Sequence, residues 1–385
     1  APLGGSVTYT TNDAELINPD IRPDDLKESQ KNAQQVIDRA VTLVVGDERV
    51  PVEPKEVGQW LQFSYEEKAA TIGLNADKVA ASLDALVGAK VAITPGKSTV
   101  ALYDGNEVSR VDGPAVRAVD AGAMTTQLQQ ALTAEGSSTP AVPVVTRAVP
   151  PTVTYTRDYS KTQTGLQAYV RHLGADFDIR VSVQQLGGPG WSVGARQNEQ
   201  AISASTYKLF VAIYVLRQIA ENKASYDDQI SGMSTRACLD KMIINSDNPC
   251  AEAFLAKFDA KKVSEFFWSN GYSRGTSMFF SDGLARTTTA DLNKAVIELE
   301  QGKILSGEGR SLLLDLMGRQ VYRSGVPAGT SAGVKNKVGF MNGYLNDAAI
   351  VSHPRGTYAI SIITKGESWG KIAEATRQIE SLMYP

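Results

Sequence analysis

The chain has 385 residues, 42% of them apolar and 21% charged, with a formal net charge of −3. That balance excludes a disordered chain, and the length exceeds what one small core serves, so two domains are expected. Two cysteines and two histidines are too few for a structural zinc site, no motif implies a cofactor, and no basic cluster with interleaved aromatics points to nucleic acid.

No run approaches the roughly 18 apolar residues of a membrane span. The sequence opens on Ala1 rather than methionine, which leaves room for a signal peptide or anchoring helix removed ahead of it. From the front, Pro23 to Ala40 carries Leu26, Ala33, Val36 and Ile37 at helical spacing. Two short strands, "VTLVV" and "RVPVE", follow with Gly46 and Asp47 turning between them. Helices are expected over Ala76 to Leu86, capped by Asn75, and over Ala121 to Leu132, with "STVALYDG" as a strand between them. The result is a small α+β domain without an evident catalytic constellation.

The stretch Glu135 to Tyr155 gathers Pro140, Pro143, Pro150 and Pro151 and reads as a stiff extended connector. It divides the chain into a domain with linker over residues 1–152 and a second domain over 153–385. Residues 1–150 carry a net charge of −7 and residues 151–385 one of +4. A mildly basic second half fits a domain that receives anionic ligands, and simple drift in surface charge fits as well. Beyond the connector, a helix around Gly165 to Leu173 leads into strands "DIRVSVQQL" and "WSVGA", the helix that begins at Ser205, and a long helical stretch to about Gln301. The end is a three-strand meander, "GVKNKVGF", "LNDAAIVS" and "TYAISIIT", whose first turn holds Asn342 and Gly343, and then a helix from about Lys371 to Met383. Strands at both ends with helices between predict one antiparallel sheet closed by both termini and packed against a helical region.

Ser205 stands three residues ahead of Lys208 at the mouth of an apolar helix. A serine at a helix start has backbone N–H groups beside it that stabilise a developing oxyanion, and positions i and i+3 share a face. Burial depresses a lysine's pKa, so Lys208 is a chemically sufficient base. The spacing alone decides nothing, because Ser368 and Lys371 share it at the start of the last helix, where they read as surface capping residues. His172 sits in a helix, His353 in a Ser-His-Pro turn, and no G-x-S-x-G elbow is present, so a serine nucleophile here depends on lysine.

"INSDNPC" then supplies Ser246, Asp247 and Asn248, and "KNKVGF" supplies Lys337, Val338 and Gly339 on a predicted strand. Ser-x-x-Lys, Ser-Asp-Asn and Lys-x-Gly in this order resemble the motifs of class A β-lactamases and penicillin-binding proteins. The resemblance covers residues 155 to 385 and implies a β-lactamase/transpeptidase-like fold, an antiparallel sheet plus a helical region. It also implies Ser205 as acylated nucleophile, Lys208 as its base and Ser246 as proton relay to the leaving nitrogen. Asn248 would bind the substrate amide, Lys337 its carboxylate, and the backbone N–H groups of Ser205 and Phe340 would form the oxyanion hole, with Gly339 beside them. The implied partner is a β-lactam or a D-Ala-D-Ala wall peptide.

Two departures qualify this. Val338 replaces the family's usual hydroxyl residue, so a hydrogen bond to the substrate carboxylate is lost or moved. The stretch that should carry a deacylating glutamate is short, and its only carboxylate before Thr287 is Asp282, which sits beside Gly283 in a turn and favours a structural role. These departures support an alternative reading as a wall-binding protein that uses the same fold as a ligand site; the intact Ser205, Lys208, Ser246, Asn248 and Lys337 oppose it.

The first domain, with "VDGPAVRAVDAGAMTTQLQQAL" ahead of a Pro-punctuated strand, resembles the peptidoglycan-binding module found beside L,D-transpeptidases and vancomycin-resistance W-type proteins. Both halves then suggest an extracytoplasmic setting. Cys238 and Cys250 flank the Ser-Asp-Asn loop; a bridge between them would pin it, two buried thiols are the alternative, and that setting favours the bridge.

Overall fold

The computed structural model describes residues 27–66, 69–91, 96–134, 139–279 and 282–385. They fall into two compact units, one drawn from residues 1–100 and 110–154, the other from residues 101–109 and 155–385. No helix among the described residues is long and apolar enough to cross a membrane.

In the first unit the β-branched run Val41–Val45 pairs antiparallel with Glu48–Val52 and parallel with Ala141–Pro143. Gly46, at φ +58°, makes the turn, and Pro51, which has no N–H to give, lies on an edge strand. The expected helices are observed as Lys27–Asp38, Ala76–Leu83 and Ala121–Thr133. The first residues of the one expected from Pro23 lie outside the described residues. Asn75 and Asp120 cap their helices by accepting from the N–H of Lys78 and Ala123. Leu43, Trp60, Val79, Leu83, Met124 and Leu128 form its fully buried core. A helix Pro54–Trp60 and a hairpin of Leu61–Glu66 with Ala69–Leu74 were not anticipated, since their short apolar runs carry no distinct period.

The second unit is built on a five-stranded antiparallel sheet, in the order Ser192–Ala195, Ile179–Gln185, Gly356–Lys365, Tyr344–His353, Gly333–Met341. Alternation sends successive side chains to two different cores. Ala349, Val351, Ile360 and Ile362 pack with the terminal helices Gln163–Asp176 and Trp369–Met383. Ala348, Ile350, Ala359 and Ile363 pack with the helical region, which centres on Tyr207–Ala220. This is the sheet closed by both termini that the sequence predicts. Asn342 and Gly343, at φ +50° and +79°, form the first turn of the meander, the left-handed pair that a two-residue hairpin requires.

The long helical stretch to Gln301 is corrected. It is four helices, Thr235–Ile244, Asn248–Phe258, Ala260–Ser269 and Thr289–Glu300. Their breaks fall at Ser246, Asp259 and Gly271, all with positive φ, while the apolar period runs on across them because every piece packs on the same core. A further helix, Gly307–Gly318, follows.

Cys238 and Cys250 are joined, with Cα atoms 5.4 Å apart, so the bridge ties the two helices on either side of Ser246. Closing a short loop in this way is worth about 2–4 kcal/mol. Replacing both cysteines with alanine is expected to lower Tm by roughly 5–15 °C, as two to four degrees per kcal/mol predicts for a domain of this size. An unchanged melting curve would show the bridge to be energetically idle.

Candidate active site

Three separate pieces of chain converge here. The first is a turn, Ala204–Thr206, that feeds the helix Tyr207–Ala220. Ala204 holds φ +43°, a conformation costly for a residue with a Cβ, and the surrounding bonds enforce it. Ser203 donates its N–H to the Ala285 carbonyl and Thr206 donates to Ser203 O. Asn346, on the sheet, donates Nδ2 to both Ile202 O and Ser203 O at 2.9 Å. This fully buried amide fixes the turn to the sheet, and no local pattern in the sequence distinguishes it.

The second piece is the loop between the bridged helices. Ser246 takes φ +62°, and Asp247 caps the next helix by accepting from the Cys250 N–H at 2.9 Å. The third is the edge strand Gly333–Met341. A Cβ at Gly339 would stand 2.7 Å from both Ser203 O and Ser205 N and 2.8 Å from Thr206 N. Only glycine lets the strand lie this close to the turn.

Lys208 Nζ lies 2.9 Å from Ser205 Oγ, 2.6 Å from the Ser246 carbonyl and 2.5 Å from Asn248 Oδ1. Two of these partners can only accept, which leaves a neutral amine's lone pair free for the Ser205 hydroxyl proton. Lys208 is fully buried, and that desolvation brings its pKa down to about 8, against the opposing pull of Asp247 and Glu252. Lys337 Nζ lies 2.9 Å from Ser246 Oγ and donates to its neighbour's carbonyl, Val338 O, at the same distance. Burial holds its pKa well below the usual lysine range; Lys208 adds to this and Asp347 opposes it. Ser246 Oγ, 3.5 Å from Lys208 Nζ, therefore stands between two amines that both bind protons less tightly than an ordinary lysine.

Ser205, Lys208, Ser246, Asn248 and Lys337 thus form one hydrogen-bonded set; Ser205, Ser246 and Asn248 line a cleft of about 430 Å³ together with Phe340, while Lys208 and Lys337 are fully buried and outside its lining. Val338 is buried and outside the cleft lining. Asp282 is outside it too: Arg286 grips its carboxylate and the Leu284 N–H donates to it, which brings its pKa down to about 2. His172 bonds the Tyr159 hydroxyl, and His353 stacks on Tyr384, so neither meets Ser205. The second Ser-x-x-Lys pair behaves differently from the first. Ser368 accepts from the Lys371 backbone N–H as a helix cap, and Lys371 Nζ turns to Glu374.

Two features were missed from the sequence. Asp347, beneath Lys337, is fully buried and has its pKa raised to about 6 by desolvation, while Asn336 and the Val326 N–H donate to it. Glu252 lines the cleft. The first signals itself only as an acid inside an apolar strand, the second not at all.

Residues 163–384 match the family model described as the beta-lactamase enzyme family. Among solved structures, PBP-A is 21% identical, with a TM-score of 0.53 over 60% of this chain and 98% of that one. A beta lactamase from Xanthomonas campestris pv. campestris is 18% identical, with a TM-score of 0.52 over 58% and 99%. A class A beta-lactamase from Mycobacterium abscessus is 24% identical, with a TM-score of 0.50 over 56% and 98%. At these identities the likeness carries the fold. No curated protein matches the chain.

Proposed function

The chain belongs to the beta-lactamase enzyme family through residues 163–384, and from that premise we propose that it is a serine hydrolase working through an acyl-enzyme on Ser205. The substrate class is an amide with a carboxylate nearby, as in a β-lactam or the D-Ala-D-Ala end of a wall peptide. The observation that carries this reading is the 2.9 Å contact of Ser205 Oγ with a buried amine whose pKa is lowered to about 8.

In the proposed step the neutral Lys208 takes the Ser205 proton as Oγ adds to the carbonyl carbon. The Ser205 and Phe340 N–H groups receive the oxyanion. Ser246, bonded to Lys337, passes its proton to the leaving nitrogen and takes from Lys208 the one removed from Ser205; the C–N bond breaks and an ester remains on Ser205. Asn248 and Lys337 hold the substrate's amide and carboxylate. The first unit is proposed to dock on wall polymer, a role supported by the likeness of residues 111–132 to wall-binding modules. The Cys238–Cys250 bridge supports an extracytoplasmic, oxidising setting.

Intact-mass analysis after exposure to penicillin G tests this. One adduct per chain is expected, mapping by proteolysis to the peptide that holds Ser205. No adduct together with no hydrolysis of penicillin G, or an adduct elsewhere, refutes the reading.

A further inference from the structure

Asn248, Glu252 and Leu255 follow one another at i, i+4 and i+7 on the helix Asn248–Phe258, and all three line the cleft that Ser205 opens into. Asn248 Oδ1 touches Lys208, so this helix face is anchored to the reacting pair. Glu252, one turn further along, is exposed and lines the cleft, and it makes no hydrogen bond or ion pair among the described residues. Its charge nevertheless reaches the site. It opposes the lowering of the Lys208 pKa by burial, and it adds to the burial that pushes the Tyr207 hydroxyl up to about 12.

What sets Glu252 apart is its place: it is a carboxylate in the lining of the cleft that Ser205 opens into, whereas Asp282 lies outside that lining and is held by Arg286. Hydrolysis of an ester gives a carboxylate so placed a task. Water attacks an unactivated ester slowly, and a positioned base accelerates the attack by about 10²- to 10⁴-fold. We propose that Glu252 is the base that activates water against the ester on Ser205, an inference that rests on the acyl-enzyme reading above.

The carboxylate takes one proton from water as the water oxygen adds to the ester carbonyl carbon. The tetrahedral oxyanion collapses, the bond from carbon to Ser205 Oγ breaks, and the proton returns from Glu252 to Oγ through the Lys208 amine. Free acid and resting enzyme result. The base comes from the helix that carries Asn248 rather than from the loop around Asp282.

The test follows the penicillin G adduct on the full chain by mass after free drug is removed, in wild type and Glu252→Gln. Ser205 in the variant is expected to acquire the adduct and to release it about 10²- to 10⁴-fold more slowly than wild type. Release at the wild-type rate overturns the proposal and leaves the acyl-enzyme intact. A wild-type adduct that does not decay overturns it in the same way. Absence of any adduct from both proteins, with no hydrolysis of penicillin G by wild type, refutes the acyl-enzyme reading itself, and the proposal with it. Since Glu252 is exposed, matching thermal melts of the two proteins will show that a slow release is not misfolding.

Discussion

Replacing Lys208 with alanine is expected to slow acylation of Ser205 by about 10²- to 10⁴-fold, the range of a positioned general base. The size follows from the environment. Nζ is fully buried, lies 2.9 Å from Ser205 Oγ, and has no carboxylate bonded to it that would hold it cationic. The same environment fixes the pH dependence. An ordinary lysine is protonated throughout neutrality, whereas a pKa near 8 leaves about a tenth of Lys208 neutral at pH 7. Acylation of the free enzyme therefore rises with pH through about 8 and then levels, as the neutral form becomes dominant. Stopped-flow acylation across pH 6 to about 10 reads both effects. A rate that is flat over that range, or an alanine variant as fast as wild type, removes Lys208 from the chemistry.

Gly339→Ala should lose about 10²- to 10³-fold in acylation, the effect of disabling an oxyanion donor. The new Cβ meets three backbone atoms, Ser203 O, Ser205 N and Thr206 N, at 2.8 Å or less. None of them is the flexible end of a side chain. The turn cannot yield easily, because Asn346 holds Ile202 and Ser203 from one side and Ala285 accepts from Ser203 on another. The strand must therefore move away, taking the Phe340 N–H with it. Acylation kinetics measured beside Tm separate this from general damage. A variant within a few-fold of wild type in rate would mean that the strand and turn do not jointly bind the oxyanion.

Some of this was open to reading along the chain. Each strand of the meander shows its apolar run, and Asn342-Gly343 specifies a two-residue turn, because those signals depend only on neighbours in sequence. Helix starts at Asn75 and Asp120 are of the same kind. The breaks in the region 235–300 were not readable, since an apolar period continues wherever successive helices face one core.

What the sequence determined by itself is local: the caps, the turns, the alternation that gives the sheet two buried faces, and the order of Ser205, Ser246 and Lys337 along the chain. The tertiary structure alone decided what those residues experience. Ser205 with Lys208 and Ser368 with Lys371 have the same spacing, yet one lysine is buried among acceptors and the other, half-buried over the Phe177 ring, pairs with a glutamate. Likewise only the fold placed Glu252 in the cleft lining, gave Asp282 to Arg286, and brought Gly339 against the turn. The physical reason is that desolvation and charge act through space, so a side chain's pKa and reach are set by segments that pack over it from far along the chain.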